Sequence, residues 1–265
     1  MRDEDLPAEF KARMAAARAL TDYEDRVEPR AVRAWYDAER DLVLFELKNR
    51  CVFGFPAMQV ADWGLAGTTP EQLAQVEPDF GGSVLHWEPL EDGIVIGGLL
   101  LRLLNVKAWY AKRLDGYDEA GASPHSDGSD AEFEAAEALF ELESRFEPRA
   151  VKAWFDADRG LVMFELKNGC VFGFPPAAEA DSGLAGATPT QLGEVEPFAL
   201  GEALRWEELD ADISVPGLLL HQLNVKAWCW KWFGGEAPAG HPDHGRQQPS
   251  ATTPDALQPV EHVGD

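Results

Sequence analysis

In Leu42-Val-Leu-Phe-Glu-Leu47 apolar side chains fall on both faces of an extended chain. Val43, Phe45 and Leu47 point one way, and Leu42, Leu44 and Glu46 point the other. A strand of that kind predicts a sheet covered on both sides. After Pro29 comes an earlier strand, Ala31-Val-Arg-Ala-Trp-Tyr36, and then a polar turn from Asp37 to Asp41. A third strand, Cys51 to Phe55, follows Lys48-Asn49-Arg50, and the three read as an antiparallel meander that stops at Pro56. One face of the meander must take helices. The other needs either more of the same domain or a second copy of it.

Around this meander the chain supplies short elements. Residues 5–23 predict a helix, with Asp5 as cap, Pro7 in the first turn and Phe10, Met14, Ala17 and Leu20 on one stripe. Thr69-Pro-Glu-Gln-Leu73 has the cap, the first-turn proline and the third-position glutamine of a capping box. Extended pieces follow at Val76–Pro78, Leu85–Trp87 and Ile94–Ile96, then the apolar run Gly98–Asn105. Val106 to Leu114 reads as an amphipathic helix with Trp109 on its apolar side.

The whole order then returns. Phe45-Glu-Leu-Lys-Asn-Arg-Cys-Val-Phe-Gly-Phe-Pro56 recurs 119 positions on as Phe164-Glu-Leu-Lys-Asn-Gly-Cys-Val-Phe-Gly-Phe-Pro175. At that fixed shift about three positions in five are identical from residue 24 to 112, so the copies share a fold. The second turn, Lys167-Asn168-Gly169, reads as a type I′ turn with positive φ at both Asn and Gly. Asp130 to Arg145 places Phe133, Ala136, Leu139, Phe140 and Leu142 as a leading helix for the second copy. The expected fold class is α+β: two tandem copies, each a three-stranded meander with a short helix, further strands and C-terminal helices. The expected domains are 1–114, an acidic flexible linker at 115–130, the second repeat at 131–235 and a Pro-rich disordered tail at 236–265.

Charge narrows the choice of partners. The chain of 265 residues carries a formal net charge of −24, but unevenly: residues 115–142 hold nine acids and no Lys or Arg. Residues 24–114 have fourteen acids against ten bases, and residues 143–233 fourteen against eight. Such a surface repels nucleic acid and anionic lipid, both of which are bound by Lys and Arg displacing counterions. No apolar run reaches the length of a membrane span, and the charged start Met-Arg-Asp-Glu-Asp does not open a signal peptide. Three cysteines, two of them at matching positions (Cys51, Cys170), read as buried thiols in a reducing compartment, so a cytoplasmic location is expected.

Each copy resembles the bacterial domain of unknown function 2442. The resemblance is carried by Glu28-Pro-Arg-Ala-Val32, Phe45–Asn49 with Phe53–Pro56, Thr69–Leu73, and Leu85-His-Trp87 before Ile94. In the second copy Leu209-Asp-Ala-Asp-Ile-Ser-Val215 is similar to the family's acidic strand motif. The resemblance implies a small α+β fold and no established activity. Members are small cytoplasmic proteins, some encoded beside toxin-like partners or joined to a helix-turn-helix. Longer members end in a Gly-, Lys- and Arg-rich tail. This chain departs there, since beyond Gly235 its only Lys or Arg is Arg246.

Constellations with chemical meaning are few. Glu88 beside Trp87, or Asp210 with Asp212, could act as paired acids, but no spacing demands a shared cleft, and they read as solvated strand ends. His241, His244 and His262 lie in the tail without supporting ligands. Neither His86 nor His221 recurs in the other copy, where Arg205 and Arg102 stand instead, so no histidine pairs with both cysteines. Lys107 and Lys112 flank Trp109, and Lys226 and Lys231 flank Trp228, as bases beside a core aromatic. Trp228, Trp230 and Trp232 cannot all face one side of a helix, which leaves at least one for a partner.

The expected function is therefore a non-catalytic protein-interaction or adaptor module, antitoxin-like or regulatory. Its candidate contact residues are Trp228, Trp230, Trp232, Lys226 and Lys231. Neither cofactor nor metal is expected. The expected partner is a protein, not nucleic acid or membrane, and the two copies are expected to pair as an intramolecular pseudo-dimer. The alternatives are a DNA-binding transcriptional regulator and an uncharacterised hydrolase.

Overall fold

A computed structural model describes residues 7–90, 93–109 and 146–233. Glu24–Cys229 form one compact unit that holds both meanders. In the first, β1 (Ala31–Asp37), β2 (Leu42–Leu47) and β3 (Val52–Pro56) are antiparallel neighbours. In the second, β7 (Ala150–Asp156), β8 (Leu161–Leu166) and β9 (Val171–Phe174) repeat them. The fold is α+β.

The meanders join edge to edge. β3 pairs antiparallel with β9, giving one six-stranded sheet in the order β1-β2-β3-β9-β8-β7. This pairing satisfies backbone groups that two separate meanders would leave as open strand edges. One face of the sheet carries Val43, Phe45, Leu47, Phe53 and Phe55 with their counterparts Val162, Phe164, Leu166, Phe172 and Phe174, all at most 2% exposed. Phe45 lies 5.7 Å from Phe53 and Phe164 5.6 Å from Phe172, both as tilted ring pairs.

Each copy adds a small sheet. β4 (Val76–Asp79), β5 (Val84–Trp87) and β6 (Gly93–Val95) form one, with β4 lying against β1. β10 (Glu196–Phe198), β11 (Ala203–Trp206) and β12 (Ala211–Ser214) form the other, with β10 against β7. The expected capping boxes are present: Gln72 N donates to Thr69 Oγ1 and Gln191 N to Thr188 Oγ1, both at 3.3 Å. These begin α2 (Pro70–Leu73) and α4 (Pro189–Gly193). Between them in the chain lies α3 (Ile96–Leu103), and α5 (Val215–Gln222) is its second-copy equivalent. Asn105 and Asn224, in left-handed backbone (φ 51° and 50°), separate these helices from the helical turns carrying Trp109 and Trp228.

Several expectations are corrected. The hairpin loop has one positive-φ residue, not two: Arg50 at 68° and Gly169 at 80°, with neither asparagine in that region. Leu47 N donates to Cys51 O and Arg50 N to Leu47 O, both at 2.8 Å, which is a three-residue loop ending in a bulge. Asn49 instead uses its side chain, accepting from Cys51 N through Oδ1 at 3.1 Å. The first helix, α1, runs Ala8–Val27; of its stripe Phe10 and Ala17 are exposed, Met14 and Leu20 half-buried. The leading helix of the second copy, the linker, the end of the helix beyond Trp109 and the tail lie outside the described residues.

Candidate interaction site

The second face of the sheet is covered by its own long side chains. In β1 the register slips between Ala31, opposite Leu47, and Arg33, opposite Glu46. The bulge leaves Val32 unpaired and 55% exposed, and it turns Arg33, Trp35 and Asp37 onto the face of Glu46, Leu44 and Leu42. The same slip between Ala150 and Lys152 turns Trp154 onto that face. Leu42, Leu44, Val52, Leu161, Met163 and Val171 form one buried cluster across both copies, with Trp35 and Trp154 packed against it. Gly54 and Gly173 make room beneath, since a Cβ at Gly173 would collide with the Met163 sulfur and one at Gly54 would sit 3.1 Å from Leu44 Cγ.

Cations then lie over both indoles. Arg33 is 4.8 Å and Arg159 5.6 Å from the Trp35 ring centroid. Over Trp154 stand Lys152 at 5.5 Å and Arg40 at 5.6 Å. In each set one cation comes from the same strand and one from the β-turn of the opposite copy. Those turns are built by aspartates: Asp37 accepts from Glu39 N (3.0 Å) and Arg40 N (3.2 Å), and Asp156 accepts from Arg159 N (3.0 Å) and its guanidinium (2.7 Å). Burial pushes the Asp156 carboxyl up, but the Arg159 hydrogen bonds outweigh it and hold the group below its usual range.

Beside each tryptophan opens a groove, about 570 Å³ next to Trp35 and about 550 Å³ next to Trp154. Arg33, Arg50, Arg159, Glu46 and Asp158 line the first, and Arg40, Lys152, Asp41 and Glu165 the second. Each draws on both copies. The combination of an aromatic face, cationic donors and an apolar floor is suited to holding a ligand.

The copies are also tied to each other at their hairpin loops. Asn49 Nδ2 donates to Gln222 O at the end of α5, and Asn168 Nδ2 to Leu103 O at the end of α3, both at 2.7 Å. The Cys51 thiol meets Gln222 Oε1 at 3.3 Å, and Cys170 meets Gln59 Oε1 at 3.5 Å. Gln59 Nε2 also donates to Asn168 O. Burial pushes both thiols up to about 12, so they stay protonated and unreactive at neutral pH.

The residues singled out from the sequence are dispersed. Trp228 is 2% exposed and donates to Leu223 O at 2.8 Å, as Trp109 does to Leu104 O at 2.7 Å. Burial takes Trp228 out of the set available to a partner. Trp230 is half-buried, Trp232 is 47% exposed, and Lys226 and Lys231 are exposed. Glu88 and Asp212 are exposed, and Asp212 stands 4.0 Å from Arg205. His241, His244 and His262 lie outside the described residues, among which no three His, Cys, Asp or Glu are grouped to hold a metal. Also among them, no helix is long and apolar enough to cross a membrane. The Trp35 and Trp154 grooves were missed. Their signal was the repeated basic-Ala-Trp spacing, Arg33-Ala-Trp35 and Lys152-Ala-Trp154, with an arginine in each following turn.

Comparisons with known proteins give a family and no activity. Residues 150–222 match the family described as Protein of unknown function (DUF2442). No curated protein matches the chain. A solved structure of a protein of unknown function from Rhodospirillum rubrum is similar at 46% identity, covering 31% of this chain and 96% of that one, with a TM-score of 0.27. An uncharacterised protein from Chromobacterium violaceum is similar at 28% identity over 40% of this chain and 95% of that one, with a TM-score of 0.30. Residues 150–222 are thus a DUF2442 domain, a domain of unknown function.

Proposed function

We propose that the chain is a non-catalytic protein-interaction module, an adaptor of antitoxin-like or regulatory type, working as an intramolecular pseudo-dimer of two DUF2442 copies. The observation that carries this reading is the pair of grooves on one sheet face, each assembled from both copies around a tryptophan that two cations approach. Tryptophan and arginine are the side chains most enriched where protein interfaces concentrate their binding energy. A non-catalytic role is supported by the protonated, buried Cys51 and Cys170 thiols and by the ion pair of Glu46 with Arg33 at 2.9 Å. A protein partner is favoured over nucleic acid by the net charge of −24. Three free, buried cysteines support a cytoplasmic location.

Affinity capture from the source cells tests the reading, comparing the native chain with an R40E/R159E double variant of unchanged melting temperature. A protein retained by the native chain and lost from the variant is the expected result. Equal retention by both, or recovery of nucleic acid alone, would overturn it.

A further inference from the structure

The two grooves are not equivalent, and the difference points to a ligand. Beside Trp35 three guanidinium groups, Arg33, Arg50 and Arg159, face two carboxylates, Glu46 and Asp158. Beside Trp154 two cations, Arg40 and Lys152, face two carboxylates, Asp41 and Glu165. The first groove is thus an island of excess positive charge in a chain of net charge −24. The excess comes from Arg50, whose counterpart is Gly169.

Arg50 is also at an unexpected place in the backbone. Its φ of 68° is the left-handed conformation that closes the hairpin bulge, and the second copy fills it with glycine at 80°. A side chain there is strained, whereas glycine is not. Strain of this kind, held in place by the surrounding structure, gathers at binding and switching positions. Arg50 is exposed and, among the described residues, has no ion-pair partner. Arg33 is engaged with Glu46 at 2.9 Å and Arg159 with Asp156 at 2.7 Å. Each guanidinium has five N–H donors, so both keep donors to spare.

We propose that the groove beside Trp35 takes an acidic peptide segment of a protein partner, with a carboxylate against Arg50, Arg33 and Arg159 and an apolar neighbour against the indole. Guanidinium groups bind carboxylates by paired, charge-assisted hydrogen bonds, and the half-buried Trp35 supplies an aromatic face at the same place. The groove volume of about 570 Å³ holds a few side chains, not a folded domain. A nucleic acid carries a long run of phosphates that the surrounding acidic surface repels. A short segment with one or two carboxylates meets only the local field. The proposal rests on the interaction reading above and names the partner chemistry for one of its two grooves.

The test is calorimetric titration of the full chain with a blocked peptide of alternating Glu and Phe, and with its Gln and Phe counterpart. The Glu peptide binds at least about tenfold more tightly, which is one charge-assisted contact. Arg50→Gly weakens the Glu peptide by about tenfold and raises the melting temperature, a pair of opposite effects that no structural defect produces. R205Q, which removes the same charge elsewhere on the surface, leaves the affinity unchanged. Equal binding of the two peptides, no binding of either, an unaffected Arg50→Gly chain, or tighter binding of a single-stranded oligonucleotide at this groove would each overturn the proposal. If the captured protein is lost from R40E/R159E but held by Arg50→Gly as by the native chain, the interaction reading stands and this inference fails.

Discussion

Phe53 pairs across the sheet with Phe172, its own counterpart in the second copy. Val52 accordingly opposes Gly173, and Gly54 opposes Val171, so each of these contacts appears twice. A register centred on one residue and its twin is what an isologous contact between two identical surfaces requires.

That register makes the isolated second repeat self-complementary. Residues 131–235 expressed alone expose β9 and are expected to dimerise through it, with Phe172 opposite Phe172 of the other molecule. Light scattering on a sizing column reads the mass. A monomer as stable as the full chain would count against the junction as a source of stability.

The asparagines of the hairpin loops are expected to be sensitive to a one-atom change. Asn49 and Asn168 each accept from their own loop through Oδ1 and donate to the last carbonyls of the other copy's helix through Nδ2. Asn168→Asp removes the donor and puts a carboxylate at a helix C-terminus, where the dipole is unfavourable to it. The expected cost is about 1–3 kcal/mol in urea unfolding at pH 7. It shrinks as the pH falls and the new carboxyl takes up a proton.

Two glycines are fixed by contact as well as by conformation. Gly82 and Gly201 both have φ of 85°, and a Cβ at either would overlap the carbonyl oxygen of Ala31 or Ala150. Gly82→Ala and Gly201→Ala should each cost more than about 2 kcal/mol. Gly81, at φ 67° with nothing near its absent Cβ, is the control. Its counterpart is Leu200 at φ 57°, so Gly81→Ala should cost no more than about 1–2 kcal/mol. Chemical denaturation of the three variants side by side decides it.

The buried thiols make an alkaline prediction. Burial raises Cys51 and Cys170 from an ordinary 9.0 to about 12, so the folded chain keeps protons that the unfolded chain gives up. Their contribution to stability is intact below pH 9 and is lost as the pH rises from there toward 12. Urea midpoints measured from pH 8 to 11 should fall, and should fall less steeply in a C51A/C170A variant. Parallel slopes would assign the alkaline loss to other groups.

Local pattern was enough for the elements. The alternation through Leu42–Leu47 announced a strand buried on both faces, Thr69-Pro-Glu-Gln and Thr188-Pro-Thr-Gln announced two helix starts, and the repeat from residue 45 to 164 announced two like units. These features depend on neighbours a few positions apart, which the chain itself keeps close. The loop at Asn168-Gly169 differs from the expected type I′ turn because Asn and Gly favour positive φ only in general. Here Asn168 instead spends its side chain on a loop amide and a distant helix, and that partner is 65 positions away. The grooves were beyond reach for the same reason. Trp35 is covered by Arg159 and Trp154 by Arg40 only because β3 and β9 pair, and no short-range periodicity encodes an edge-to-edge contact between strands 119 residues apart. The sequence alone determined which residues are extended, helical and apolar. The tertiary structure decided which cation meets which indole, because a sheet edge is satisfied by whatever complementary edge the folded chain brings to it.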